Sequence, residues 1–168
     1  MTHKLTITTI LAAALALSAC GQSGESASTY KGDELLANGL TIKQMIESRQ
    51  HNLKDLGGAF KTINDQLRQE QPLGQEIKFA AAEVQRHSQD IASWFPEGTG
   101  PDSGVETDAL PEIWTQPQEY ADTIEKFKTA AATLNTAAQA GDIDGVKASV
   151  RPVGGACKSC HDNFRVDD

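Results

Sequence analysis

Residues 143–164, IDGVKASVRPVGGACKSCHDNF, decide how this chain is read. Within them Ile143, Val146, Val150, Val153, Cys157, Cys160 and Phe164 recur at steps of three and four. That spacing sets all seven on one stripe of a helix, the stripe that turns toward a core. Both cysteines therefore belong to the inward face. His161 follows one full turn after Cys157, so one short segment presents two thiols and an imidazole together.

Cys157-Lys158-Ser159-Cys160-His161 is a C-x-x-C-H run, the attachment signature of c-type haem. Two thiols can add across the two vinyl groups of the macrocycle, and the adjacent imidazole can meet the iron as the proximal ligand. A C-x-x-C pair could also be a redox dithiol or half of a zinc site. Zinc wants four ligands, and the chain has three cysteines with no second pair. A redox dithiol of the thioredoxin kind belongs near a βαβ pattern, which this sequence does not show. Haem attachment is the reading that uses every residue of the run.

Working outward, three more stripes show the same period. The first runs Ile42, Ile46, Arg49, Leu53, Leu56, Phe60, Ile63, Leu67; the second Ile77, Ala81, Val84, Ser88, Ile91, Phe95; the third Tyr120, Ile124, Phe127, Ala131, Leu134, Ala138. β-branched residues are scattered rather than alternating, so strand signal is weak. The expectation is an all-α fold, an antiparallel four-helix bundle with a covalently attached haem near the C-terminus. Pro72 and Pro117 suit first-turn positions, and Asp142 after Gly141 suits an N-cap. Pro152 predicts a kink or break in the last helix. The long connection from Pro96 to Pro117 carries Pro111-Glu112-Ile113-Trp114, which could fold back over the core.

Two consequences bear on function. The haem should sit within or beside the bundle core, because its cysteines lie on the seam. Arg49 occupies a seam position where its neighbours are apolar, and a buried guanidinium needs an anionic partner. A haem propionate would serve, in the two-pronged geometry that arginine offers carboxylates. The alternatives are that Arg49 snorkels past the seam or pairs with Glu47 or Asp55.

The N-terminus reads as targeting rather than fold. Lys4 precedes a short apolar run, Ile10 to Leu17, that ends in Leu17-Ser18-Ala19-Cys20. The run is too short to span a bilayer, and its end resembles a bacterial lipobox. The expected division is a signal peptide over 1–19, a lipidated Cys20 and flexible tether over 20–37, and the bundle over 38–168. An ordinary signal peptide with an incidental cysteine is the alternative. With lipid on Cys20 and haem on the other two, no thiol is left over in an oxidising compartment. After cleavage, 14 Lys and Arg face 23 Asp and Glu, a formal charge of −9. Such a balance disfavours nucleic acid, whose phosphates need clustered basic residues.

Taken together these residues resemble the cytochrome c′ family, the class II c-type cytochromes. The resemblance spans about Leu40 to Arg165. It rests on C-x-x-C-H in the last helix of a bundle, Arg49-Gln50, Trp94-Phe95, Pro111-Glu112-Ile113-Trp114 and Ala140-Gly141-Asp142. It implies one haem c, with Cys157 and Cys160 as thioether cysteines and His161 as the axial iron ligand. It further implies Arg49 and Gln50 near the propionates, Asp108 at the haem edge, Leu53 over the sixth position and Arg165 beside the proximal imidazole. The low-spin relatives of the family carry a Met ligand on the first helix. The matching residue here is Leu53, which has no donor atom. Met45, two turns earlier, reads as core filler, and His51 and His87 as surface or boundary histidines.

The expected function is a five-coordinate haem protein binding nitric oxide or CO at an apolar distal site. Its role would be nitric oxide buffering or protection, on a periplasm-facing lipoprotein of the bacterial envelope, in the outer membrane. The alternatives are a periplasmic electron carrier serving an envelope redox partner, and a structural or sensory lipoprotein. No general acid or base array is evident, so no enzyme is expected. The family resemblance implies a homodimer through the first two helices, which nothing in this sequence establishes.

Overall fold

The computed structural model describes residues 30–69 and 72–166. The expected signal peptide and Cys20 lie outside these residues. Four long helices make the domain: α1 (Ile42–Arg68), α2 (Gln75–Asp90), α4 (Pro117–Ala140) and α5 (Ile143–Phe164). Between α2 and α4 run two 3₁₀ turns, Ile91–Trp94 and Pro101–Ser103, and a one-turn helix α3 (Glu112–Thr115). Among the described residues no β-strand forms, and the bundle is the architecture the stripes imply.

The helix ends have local causes. Thr41 Oγ1 accepts from the Gln44 amide at 3.1 Å while Gln44 Oε1 accepts from the Thr41 amide at 2.9 Å. This reciprocal cap satisfies two amides that would otherwise open α1 unbonded. Pro117 is the first residue of α4, as expected. Pro72 precedes α2 instead of entering its first turn, because Gly74 takes the N-cap. Gly141 closes α4 at φ 77°, a left-handed conformation costly for residues with a Cβ. Asp142 then caps α5, its Oδ1 accepting from the Gly145 amide at 2.9 Å. The expected break at Pro152 does not occur: α5 is a single helix. Pro152 and Ala148 are both exposed, so the carbonyl deprived of its donor faces water.

α1 packs on α2, α2 on α4, and α4 on α5. Ile46, Ile63, Ala81, Val84, Ala131, Leu134, Val146 and Val153 are wholly excluded from solvent. Each large aliphatic among them contributes about 1.5–3 kcal/mol by burial. Asn135 Nδ2 donates to Gln85 Oε1, and Gln139 Nε2 donates to the Lys78 carbonyl at 3.0 Å, which sets the register of α2 against α4. α1 and α5 meet more sparsely: the Phe60 ring of α1 lies 3.8 Å from where a Cβ on Gly154 of α5 would stand.

Two sequence expectations change here. His87 is buried, 2 % exposed, with its ring edge-on to Trp94 at 5.5 Å; it is no surface or boundary residue. The segment from Lys31 to Thr41, assigned mostly to the tether, is bonded into the domain. The Lys31 amide donates to the Ser103 carbonyl at 2.8 Å and the Lys43 amide to the Gly32 carbonyl at 2.9 Å.

Candidate functional site

The gap between α1 and α5 is an apolar cavity of about 560 Å³, a size typical of small-ligand and cofactor sites. Cys157, Cys160 and His161 line it from α5; Arg49, Gln50, Leu53, Gly57 and Phe60 line it from α1. Phe95, Ile113, Tyr120 and Phe127 complete the apolar wall. Leu53 and Phe60, half-buried members of the first stripe, pack against the core and also line this space.

Both cysteines are half-buried free thiols. Burial pushes the Cys157 thiol up and the Cys160 thiol up to about 11. The His161 imidazole is pushed down, first by burial and then by the charge of Arg165. That shift favours the neutral ring, the form that ligates metals.

Arg49 is 1 % exposed. Its Nη1 donates to Thr99 Oγ1 at 2.9 Å and its Nη2 to Thr107 Oγ1 at 2.6 Å. The guanidinium carbon lies 4.8 Å from the Phe95 ring centroid and 5.9 Å from that of Trp114. It neither snorkels nor pairs with Glu47 or Asp55. Among the described residues its partners are hydroxyls and aromatic faces, with no carboxylate. Burial pulls its pKa down to about 10, the mark of a cation that lacks a full countercharge.

The connection between α2 and α4 builds the rest. Trp114 Nε1 donates to the Phe95 and Pro96 carbonyls at 3.1 Å each, so the Pro-Glu-Ile-Trp run does fold back over the core. Residues 108–110 then pair with the end of α5. The Leu110 amide donates to the Phe164 carbonyl at 3.0 Å, and the Val166 amide to the Asp108 carbonyl at 2.8 Å. That pairing brings exposed Asp108 and Arg165 to the cavity rim together. Gln50 is exposed at the same rim, its Nε2 3.4 Å from the Glu106 carbonyl.

All seven expected haem-site residues besides His161 therefore line this one cavity. Met45 does not line it; it is buried, and its sulfur accepts from Asn38 Nδ2 at 3.6 Å. His51 sits outside, 3.3 Å from Asp55. Sequence reading missed Thr99, Thr107 and the hydroxyl of Tyr120. The threonines lie in an aperiodic loop, where no stripe could single them out. Tyr120 was legible only as a seam residue.

The residues fit a covalently held haem. Two unpaired thiols and a neutral-leaning imidazole line an apolar space, together with a buried guanidinium that has no carboxylate partner. The Tyr120 hydroxyl is buried there without a hydrogen-bond partner, which also pushes its pKa up.

Comparison with known proteins agrees. The family model for cytochrome c′ matches residues 44–165. The chain belongs to the cytochrome c′ family. It is 34% identical over 143 residues to cytochrome c′ from Rhodopseudomonas palustris, covering 82% of this chain and 94% of that one. It is 32% identical over 136 residues to cytochrome c-554 from Cereibacter sphaeroides, covering 76% and 84%. Among solved structures, a ferrous variant of cytochrome c′ from Alcaligenes xylosoxidans with bound NO superposes at a TM-score of 0.66. The two are 26% identical, and the match covers 74% of this chain and 96% of that one. As a cytochrome c′, the protein is a c-type haem protein with one covalent haem c. Cys157 and Cys160 would hold the haem and His161 would ligate its iron, while Arg49 would supply charge to a propionate. The haem would supply the iron chemistry, and the side chains that line the cavity would set what can reach it.

Proposed function

We propose that this cytochrome c′ leaves its iron five-coordinate and binds nitric oxide, or CO, at an apolar distal site. The observation that carries this is Leu53. It lines the cavity from α1 with Leu56, Gly57 and Phe60 beside it, and none of the four has a side-chain atom able to ligate iron. These four residues favour neutral diatomics, and their side chains offer no donor to steady bound oxygen. The NO-bound relative supports the reading, since that protein takes the ligand in the same fold. The setting is the periplasmic side of a bacterial envelope membrane, with a lipid on Cys20, and the task is nitric oxide buffering or protection.

The test is one pair of absorption spectra, oxidised and reduced. High-spin five-coordinate bands that shift on adding nitric oxide support the reading. A low-spin six-coordinate spectrum indifferent to nitric oxide would sink it and leave electron transfer to an envelope partner as the function. Intact mass of the membrane-extracted protein checks the acyl group on Cys20.

A further inference from the structure

Apolar side chains are not spread evenly over the outside of this domain. Tyr30, Leu35 and Leu40 are 52 %, 74 % and 37 % exposed, and they lie within eleven consecutive residues. The other exposed large apolar residues, Phe79 on α2 and Val166 past α5, stand apart from them in sequence.

The segment carrying the three is held firmly. Lys31 is bonded through its amide to the Ser103 carbonyl, and Lys31 Nζ lies 3.6 Å from Asp102 Oδ2. The Ile42 amide donates to the Glu34 carbonyl and the Leu36 amide to the Leu40 carbonyl, at 2.9 and 2.8 Å. Gly39, at φ 83°, turns the chain between them. Leu35 pairs with Thr41 across this tight hairpin. A hairpin so bonded holds leucine in water at a standing cost, because neither side chain can fold inward.

Its place in the chain says what removes that cost. Cys20 is ten residues before Tyr30. Ten residues span at most about 35 Å, however they are arranged. The hairpin is thus the part of the domain nearest the anchor along the chain.

We propose that the 30–41 hairpin rests in the interface of the membrane that holds Cys20, with Leu35 and Leu40 inserted among the lipids. The inference rests on lipidation of Cys20, which belongs to the functional reading above. The contact is apolar rather than electrostatic. Asp33 and Glu34 immediately precede Leu35, and an anionic surface would repel them, the reverse of a polybasic segment. Thr41 caps the helix whose Arg49 reaches the haem cavity, and eight residues of helix rise about 12 Å. The contact therefore places the cavity close above the bilayer, where an apolar diatomic released from the lipid would meet it.

The test uses the full lipidated holo-protein on phosphatidylcholine vesicles whose acyl chains carry a diazirine. After illumination, adducts are mapped by mass spectrometry. Adducts should concentrate at Tyr30, Leu35 and Leu40, with α2 around Phe79 at least about tenfold lower. Leu35→Asp should cut hairpin labelling about tenfold while the acyl mass and the haem spectrum stay unchanged. Phosphatidylglycerol vesicles should label no more strongly than phosphatidylcholine. An acylated protein without hairpin adducts overturns the contact and leaves the anchor standing. A Cys20 without acyl mass overturns both. Labelling centred on Phe79 also overturns the contact.

Discussion

Leu53 and Gly57 stand one helical turn apart on α1, and both line the haem cavity. A Cβ built on Gly57 would meet nothing within 4 Å. A glycine inside a helix costs about 1 kcal/mol relative to alanine. On the functional reading proposed above, that cost leaves open space beside Leu53, the side chain that a distal ligand would displace. Leu53→Ala should therefore speed binding of CO to the ferrous protein by about tenfold or more, measured by flash photolysis. Unchanged rates would mean that Leu53 does not gate the site.

The neighbouring glycine gives a separate expectation. Gly57→Ala should raise thermal stability, because about 1 kcal/mol of helix propensity is regained. Gly57→Leu should slow CO binding several-fold by filling the space into which Leu53 would swing. Calorimetry reads the first and flash photolysis the second. A stabilised protein whose leucine variant binds CO at the original rate would reduce Gly57 to a structural position.

Leu53→Met adds the donor atom that the wall withholds. The spectrum of this variant should move toward six-coordinate low-spin, and its nitric oxide binding should slow. A variant that stays high-spin would show that the helix holds position 53 out of reach of the iron.

Arg49 should change sign with the haem. Without haem the guanidinium is buried among hydroxyls and rings, and removing it relieves an uncompensated charge. Arg49→Met should stabilise a Cys157→Ser/Cys160→Ser chain, which cannot attach haem, by about 1–3 kcal/mol in urea unfolding. In the haem-bearing protein the same change should destabilise. The low pKa of Arg49, about 10, gives the matching linkage. The unfolded chain holds its proton more tightly, so the penalty is fully present below pH 10. It fades only as pH rises through that value. Equal effects with and without haem would refute a countercharge on the haem.

His87 should set part of the acid response. Its pKa is pushed down by burial first, then by Arg86, with Glu83, Asp55 and Asp90 pulling the other way. A histidine that resists protonation when folded takes up protons on unfolding. Its contribution to stability is thus intact above the ordinary histidine value of 6.5 and declines below it. Its Nδ1 is buried without a partner among the described residues, and Glu83 Oε2, 3.8 Å from Nε2, offsets the added charge only in part. Melting temperature should fall between pH 7 and 5, and His87→Leu should flatten that slope. Asp65 and Glu83, held low by Lys61 and Arg86 respectively, lose their share only below the ordinary carboxylate values. A slope unchanged in His87→Leu would assign it elsewhere.

Periodicity carried most of the architecture because it reports burial directly. The stripe through Cys157 and Cys160 named the inward face of α5, and the odd Arg49 in an apolar stripe marked the one charge that had to be satisfied within. Arg49's partners were hidden for the same physical reason. Thr99 and Thr107 act from a loop shaped by Trp114 and by pairing with the end of α5, and a loop has no period. The break that Pro152 allowed does not form: α5 runs through it, with Pro152 and Ala148 on an exposed face where water can serve the freed carbonyl. His87 misled because one histidine beside a seam looks alike whether the neighbouring turn, Ile91–Trp94, covers it or leaves it in water. Asp108 was placed by resemblance, and its backbone bond to Val166 supplies a structural cause.

The opening between α1 and α5 also bears on biogenesis. In the folded chain both thiols are half-hidden and held in the protonated, less nucleophilic state. In the extended chain the same sulfurs lie bare and far from α1 in sequence. Thioether formation is therefore easiest before the two flanking helices come to face each other. The last helix would then dock with its haem already attached, bringing it against Leu53 and Phe60 of α1.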